Sequence, residues 1–202
     1  MELLIFDLGR VVIDYDWEAF CRAFAANSGA DLERVKEFFA HDIFHKGRYE
    51  KGLTTTSELL DEINRKLNTQ MGFAEFKELW TRGLCFSENR EVVELLECLR
   101  GQLPLCLLSN TSDVHYEYLQ KEFNMARHFD NIVLSYKVGM VKPEPGIYHE
   151  ALRLCNVAPE DSLFIDDLIP NVEGARALNI RGHHFTGIES LRAELKELGL
   201  VI

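Results

Sequence analysis

Short runs of apolar residues, most of them followed by polar or Gly/Pro residues, recur along the first and last parts of the chain. The runs are continuous rather than alternating, which is typical of strands buried on both faces of a parallel sheet. The predicted strands are Leu3–Phe6, Leu105–Ser109, Ile132–Ser135, Leu163–Asp166 and Arg181–Phe185.

Amphipathic segments with helical spacing separate these runs. Such alternation of strands and helices requires crossovers between parallel strands, and these crossovers are right-handed. The predicted helices are Glu91–Arg100, Asp113–Phe123, Gly146–Cys155, Asn171–Leu178 and Ile188–Leu198. We therefore predict an α/β fold, a Rossmann-like core of three layers with a parallel sheet in the middle.

Residues from about Asp16 to Glu88 show helical patterns and no clear strand. Asp16 and Asp31 are placed to cap helices, and Thr55 with Glu58 has the capping-box pattern. The predicted helices are Trp17–Ala26, Leu32–Ala40, one through Leu59–Leu67 and one through Phe73–Trp80. We predict that residues 16–87 form an α-helical cap domain, inserted into a core domain of residues 1–15 and 88–202.

The 202-residue chain has the composition of a globular protein, 47% hydrophobic and 27% charged. Its net charge of −11 argues against nucleic acid and anionic membrane surfaces as partners. No segment approaches 18 apolar residues, and the five cysteines form no C-x-x-C pair. We expect a cytoplasmic protein with reduced thiols, either a monomer or a homodimer.

Polar residues follow the predicted strands where their carboxyl ends meet. In open α/β sheets, ligands bind outside these ends. The residues delivered there are Asp7, Ser109, Asn110, Lys142, Asp166, Asp167 and Asn171. Alone, each has an ordinary explanation, such as a turn, a helix cap or a solvated surface position. Their convergence on one edge indicates a functional site.

These groups suit phosphoryl transfer. A carboxylate such as Asp7 can attack phosphorus and form an acyl-phosphate. Because both reactants are anionic, a divalent cation must lie between them, and Mg²⁺ prefers oxygen ligands such as those of Asp7 and Asp167. The Ser109 hydroxyl, backbone N–H groups and Lys142 can hold the remaining phosphoryl oxygens.

Four segments, F-D-L-G-x-V, L-S-N, V-K-P and F-I-D-D-x-x-x-N, resemble the motifs of the haloacid dehalogenase (HAD) superfamily. The resemblance covers essentially the whole chain, and the helical insertion is similar to a C1-type cap. It implies a Mg²⁺-dependent phosphatase of small phosphorylated metabolites. The D-L-G variant is similar to sugar-phosphate phosphatases, such as those acting on glucose 1-phosphate.

The resemblance also implies roles for the metal-binding residues. Asp7 would be the nucleophile and a metal ligand, and Gly9 would give its backbone carbonyl to the metal. Asp167 aligns best with the direct metal ligand. Asp166 would belong to the metal site behind the direct ligands, or it would orient Lys142. The spacing leaves open which of the two aspartates binds the metal directly. Asn171 would lie behind the ligands and hold water.

The remaining roles implied by the resemblance concern the phosphoryl group. The Ser109 hydroxyl and the backbone N–H of Asn110 would grip it. Lys142 would contribute both to substrate binding and to catalysis. The expected partner is therefore a small phosphorylated metabolite.

Gly9 departs from the family pattern, since many relatives carry a second Asp there. That Asp protonates the leaving group and activates water, a contribution of about 10²–10⁴-fold. An easily expelled anomeric phosphate, or a cap residue such as His41, His45 or Glu50, could compensate. One alternative is a 2-haloacid dehalogenase-type hydrolase, which the Asp166–Asp167 pair disfavours. The other is a catalytically weak regulatory protein that binds a phosphorylated ligand.

Overall fold

A parallel five-stranded sheet forms the centre of the computed structural model, which describes residues 1–40 and 47–202. The strands are β1 (Leu3–Phe6), β4 (Leu105–Ser109), β5 (Asn131–Leu134), β6 (Ser162–Asp166) and β7 (Arg181–His184). Their order across the sheet is β5-β4-β1-β6-β7. All four strand pairings are parallel, so the predicted Rossmann-like α/β fold is confirmed.

Some helices pack on the two faces of the sheet. Others, from the part of the chain between β1 and β4, form a separate bundle. The helices of the bundle are α1 (Trp17–Ser28), α2 (Leu32–Phe38), α3 (Thr56–Leu67) and α4 (Phe73–Arg82). Those of the core are α5 (Arg90–Leu99), α6 (Asp113–Phe123), α7 (Ser135–Val138), α8 (Pro145–Cys155), α9 (Ile169–Arg176) and α10 (Ile188–Glu197).

The two faces of the sheet belong to different hydrophobic clusters, because neighbouring side chains of a strand point to opposite faces. Leu4 and Phe6 pack with residues of α5 and α10, such as Leu95 and Leu191. The alternate residues Leu3 and Ile5 lie in a second cluster with residues of α8 and α9. Burial on both faces explains why the strands are apolar throughout.

The helical bundle has its own aromatic core. Phe20, Phe39, Phe76 and Trp80 are buried, and the ring centroids of Phe39 and Phe76 lie 5.6 and 5.5 Å from that of Trp80. The caps predicted for these helices are confirmed: the helix-capping aspartates accept backbone N–H bonds, and both bonds of the predicted capping box are present. The exact boundaries of the cap, 16–87, stay a prediction.

A short antiparallel pair joins the two ends of the bundle. It consists of β2 (Ile13–Asp14) and β3 (Ser87–Glu88). The expectation that the segment from Asp16 to Glu88 contains no strand was wrong for Ser87–Glu88, because two residues are too few to leave a periodic pattern. The pair holds the entry and exit of the bundle side by side next to β1.

None of the described helices is long and apolar enough to cross a membrane.

Candidate active site

Three neighbouring strands deliver polar side chains to one edge of the sheet. Asp7 follows β1, and Ser109 ends β4. Asp166 ends β6, with Asp167 directly after it. Because β4, β1 and β6 are adjacent and parallel, their carboxyl ends lie side by side. The structure therefore brings these predicted residues together.

The ammonium group of Lys142 lies between two of the carboxylates. Its Nζ is 2.6 Å from Asp7 Oδ1 and 2.7 Å from Asp166 Oδ2, and the Lys142 side chain is 1% exposed. Burial alone would lower the pKa of Lys142, but the two carboxylates outweigh it and raise the pKa above its ordinary value. Lys142 is therefore a buried, charged group at the centre of the site.

The side chain of Asn110 fixes the backbone at Lys142. Asn110 Oδ1 accepts a hydrogen bond from Lys142 N at 2.8 Å, and Asn110 Nδ2 donates to Lys142 O at 3.1 Å. Sequence reasoning assigned Asn110 a backbone role toward the phosphoryl group and missed this one. Reciprocal amide bonds between two loops leave no periodic signal in the sequence.

The neighbours Asp166 and Asp167 have different surroundings. Asp166 is fully buried, and its Oδ1 accepts from Leu168 N at 2.8 Å. Asn171 Nδ2 donates to both of its oxygens at 3.0 Å, and Lys142 takes the remaining position at Oδ2. Asp167 is only partly buried, and no other residue that the structure describes donates to its carboxylate. The oxygens of Asp167 are therefore available to a ligand, whereas those of Asp166 are occupied.

This edge of the sheet fits a divalent cation. Carboxylate oxygens of Asp7, Asp166 and Asp167 lie within 4.8 Å of one another, and Lys142 compensates only part of their charge. Burial raises the pKa of Asp7 to about 7, with Lys142 opposing the shift and Asp166 adding to it, so a cation would favour the ionised form. The Gly9 carbonyl oxygen accepts no hydrogen bond from the described residues. Carboxylate and carbonyl oxygens are ligands that suit Mg²⁺.

The Ser109 hydroxyl retains hydrogen-bonding capacity. Ser109 is 2% exposed, and its Oγ makes only a long contact, 3.5 Å, with Asn110 O. The backbone two residues on is held firmly: Thr111 N donates to Ser135 Oγ at 2.9 Å, and Ser135 Oγ donates to Thr111 O at 3.0 Å. The Ser109 hydroxyl is therefore positioned and free to bind an oxyanion.

A cavity of about 590 Å³ opens above these residues, and both the core and the helical bundle line it. From the bundle side come Trp17 of α1 and Glu50, which lies in the loop before α3. Of the three cap candidates for an acid, Glu50 thus borders the cavity. His41 and His45 lie outside the described residues.

His115 joins the core to the bundle and was not singled out from the sequence as a functional residue. Its Nε2 donates to Trp80 O at 2.7 Å, and the two ring centroids lie 4.8 Å apart. Burial lowers the pKa of His115 to about 4, so the imidazole is neutral at physiological pH. His115 lies in α6 and Trp80 in α4, so their contact ties the helical bundle to a core helix.

The space beside Gly9 is occupied by an aromatic ring. A Cβ atom at position 9 would lie 3.3 Å from Tyr15 Cε1. The Tyr15 ring in turn lies under the guanidinium of Arg10, 4.3 Å from the ring centroid. Arg10 has a left-handed backbone, with φ of 59°, a conformation that L side chains adopt rarely. The Tyr15 ring therefore borders the position at which the family pattern led us to expect a carboxylate, and the sequence did not reveal this neighbour.

Proteins of known family and activity are similar to this chain. The family profile for haloacid dehalogenase-like hydrolases matches residues 1–179. A D-ribitol-5-phosphate phosphatase from Bacteroides thetaiotaomicron is 25% identical over 87% of each chain. A sesquiterpene phosphatase from Aspergillus oryzae is 25% identical over 96% of this chain and 94% of its own.

Among solved structures, a HAD-family enzyme from Bacteroides thetaiotaomicron, in complex with magnesium and inorganic phosphate, has a TM-score of 0.79 and 28% identity. The alignment covers 91% of this chain and 93% of the other. The phosphatases among the relatives support phosphoric monoester hydrolysis as the reaction class of this enzyme. The chain belongs to the haloacid dehalogenase-like hydrolase family.

Proposed function

We propose that this enzyme is a Mg²⁺-dependent phosphatase of small phosphorylated metabolites, acting through an aspartyl-phosphate on Asp7. The observation that carries the proposal is the buried ion-pair cluster, in which Lys142 Nζ lies 2.6 Å from Asp7 and 2.7 Å from Asp166. An ammonium placed beside a nucleophilic carboxylate can neutralise charge on a transferring phosphoryl group.

Asp7 is the group best placed to attack phosphorus. Its Oδ1 is held by Lys142 and by Leu8 N at 2.7 Å. One carboxylate oxygen is thus fixed, and the other is left for the reaction. Asp7 is also 8% exposed, so the carboxylate reaches the cavity without being solvated. Low hydration favours a carboxylate nucleophile because less water must be displaced.

For the metal, we propose that Asp7, Asp167 and the Gly9 carbonyl are the direct ligands. Asp166 then acts through the residues that it holds, Lys142 and Asn171, because its oxygens already accept four hydrogen bonds. Bound Mg²⁺ would supply the positive charge that lets an anionic nucleophile approach an anionic phosphate.

Ser109 and the backbone N–H of Asn110 are proposed to hold the phosphoryl oxygens, together with Lys142. The Ser109 hydroxyl has no strong partner in the protein, and the segment after it is fixed by Ser135. Preorganised donors of this kind stabilise the charge that spreads over phosphoryl oxygens in the transition state.

The cavity suits a small organic group attached to the phosphate. Aromatic rings of Tyr15, Trp17 and Phe86 line it together with many polar and charged side chains, which suits a polar group such as a sugar. Sugar phosphates such as glucose 1-phosphate are the proposed substrates. An anomeric phosphate has a better leaving group than a simple alkyl phosphate, which suits a site with Gly9 in place of an acid.

The test is phosphate release from a panel of sugar phosphates, alkyl phosphates and nucleotides, with Mg²⁺ and with EDTA. We expect release that EDTA abolishes. Asp7→Asn should lower kcat by at least about 10³-fold, because amide nitrogen and oxygen do not form the acyl-phosphate. Activity that survives EDTA would contradict the metal-dependent mechanism. Halide release from 2-haloacids, or ligand binding without turnover, would instead favour the dehalogenase or the regulatory alternative.

A further inference from the structure

A phosphatase of this mechanism needs a proton donor for the leaving oxygen and a base for the attacking water. Position 9 offers neither, since Gly9 has no side chain and Tyr15 fills the adjacent space. His115 lines the same cavity, but its Nε2–H is bonded to Trp80 O and its imidazole is neutral. A different group of the cavity wall must therefore be considered.

Glu50 is a carboxylate of the cavity wall that has no hydrogen-bond partner among the described residues. It borders both the main cavity and a smaller one of about 50 Å³ between the cap and α6. Among residues 1–40 and 47–202, none forms a hydrogen bond or an ion pair with it. A partly buried carboxyl group without a protein partner is expected to have a ligand partner.

The loop that carries Glu50 is fixed on both sides. Before it, the Tyr49 hydroxyl bonds Thr56 Oγ1 at 3.0 Å and accepts from Trp80 Nε1 at 3.1 Å, inside the cap. After it, Lys51 Nζ lies 2.5 Å from Glu144 Oε1 of the core. These anchors hold the backbone of Glu50 between the cap and the core.

Gly52 brings the same loop against the core backbone. Its φ is +67°, and a Cβ atom there would lie 2.5 Å from Tyr136 O, so only glycine fits this approach. The loop is therefore seated on the core immediately after Lys51, and Glu50 faces the cavity above the sheet edge.

The electrostatic surroundings of Glu50 suit proton transfer. Burial raises its pKa above the ordinary value, and the attraction of Lys142 opposes this only in part. Among the described residues, the other charged or titratable groups that line the cavity are Asp7, Arg10, Tyr15, His115 and Asp167. A raised pKa keeps a carboxylic acid protonated closer to neutral pH, which is what a general acid requires.

We infer that Glu50 delivers from the cap the acid and base that position 9 lacks; this inference rests on the proposed phosphatase function. In the first step, Asp7 Oδ bonds to phosphorus, the ester P–O bond breaks, and the Glu50 proton moves to the leaving oxygen. In the second, the Glu50 carboxylate takes a proton from water, the water oxygen bonds to phosphorus, and the bond to Asp7 breaks. Phosphate leaves, and Glu50 is again protonated.

The test compares Glu50→Gln with the wild-type enzyme on two kinds of ester. For alkyl and sugar phosphates, whose leaving oxygen needs a proton, kcat/KM should fall about 10²–10⁴-fold. For p-nitrophenyl phosphate, which expels a stable phenolate, kcat/KM should fall less than about tenfold. Because the base is also lost, the variant should release a burst of nitrophenol equal to the enzyme concentration.

The pH profile gives a second readout. With a general acid, kcat/KM for an alkyl phosphate falls as pH rises above the pKa of Glu50, and Glu50→Gln should lose that limb. The matched control is Glu75→Gln, which changes an exposed carboxylate in the first turn of α4 and should behave as wild type.

The outcomes separate this inference from the proposed function. If the wild-type enzyme releases phosphate in an Asp7- and Mg²⁺-dependent way but Glu50→Gln shows no loss, Glu50 is not the acid. Equal losses with both kinds of ester would assign Glu50 to substrate binding and overturn the inference as well. If the wild-type enzyme hydrolyses none of the esters, the proposed function fails first and the inference with it.

Discussion

The two walls of the cavity are built by different means. On the core wall, Asp7 follows β1 and Asp166 ends the neighbouring β6, and Lys142 lies between them within 2.7 Å of each. On the cap wall, Glu50 is placed by a loop whose ties are aromatic packing and an ion pair that is 25% and 43% exposed. Buried charge is strongly coupled to folding, whereas exposed ion pairs contribute little to it.

This difference has a consequence for how the site can be perturbed. A change in the core wall should alter stability and catalysis together, because the same buried carboxylates are proposed to carry the reaction. A change in the cap wall should alter catalysis with little change in stability. The contact between His115 and Trp80 lies between these cases, since it joins the two walls.

The largest effect is expected from Lys142→Met. Without the ammonium, the buried carboxylates of Asp7 and Asp166 face each other uncompensated, which should lower the free energy of unfolding by about 3–5 kcal/mol. Urea denaturation at neutral pH measures this. Added Mg²⁺ should restore part of the loss, because a cation that binds only the folded state stabilises it. Activity should be lost as well.

The control for this prediction is Lys121→Met, since Lys121 is exposed on α6 and forms no ion pair with the described residues. It should change the free energy of unfolding by less than about 0.5 kcal/mol. If Lys142→Met were as stable as this control, the ion-pair cluster would not couple folding to catalysis.

The core wall was accessible to sequence analysis because topology places strand ends next to one another. Asp7, Ser109 and Asp166 each follow an apolar run, and parallel pairing brings the ends of those runs together. Which of Asp166 and Asp167 has carboxylate oxygens free for a ligand could not be predicted from the sequence. It depends on which carboxylate the Asn171 amide and the Lys142 ammonium reach.

The cap wall was accessible only in part. Helix caps at Asp16 and Thr55 are local in sequence, so they could be read from it. Glu50 was one of three candidates, and its position depends on contacts with residues far along the chain, such as Glu144. The short β2–β3 pair was missed because long-range pairing of two residues leaves no pattern.

The second-largest effect is expected from His115, whose protonation should make the free energy of unfolding depend on pH. The folded-state pKa of about 4 lies below the ordinary value of 6.5, so the unfolded chain binds more protons between these values. Stability should therefore be fully present above pH 6.5 and fall as pH decreases toward 4, by at most about 3 kcal/mol from this group. Urea denaturation at several pH values checks it.

His115→Gln should flatten this dependence while leaving the background from other groups unchanged. Glutamine can still donate to Trp80 O but does not titrate. The matched control is His149→Gln, an exposed histidine on α8, which should keep the wild-type slope. Parallel slopes for His115→Gln and wild type would show that the junction of cap and core is not sensitive to this protonation.

The smallest change in stability, and the clearest separation of the two walls, is expected from Lys51→Met. The exposed pair with Glu144 should be worth less than about 1 kcal/mol of unfolding free energy. Losing it should release the loop that carries Glu50, so kcat/KM for an alkyl phosphate should fall several-fold while p-nitrophenyl phosphate is hardly affected. High salt should weaken the same pair in the wild-type enzyme and lower its kcat/KM in the same direction. The control is Lys36→Met, because among the described residues Lys36 pairs with Glu18 and Glu33 of the helical bundle and with no core residue. If Lys51→Met lowered stability as much as Lys142→Met, or if both esters lost activity equally, the cap wall would be part of the folding core rather than a separately held catalytic arm.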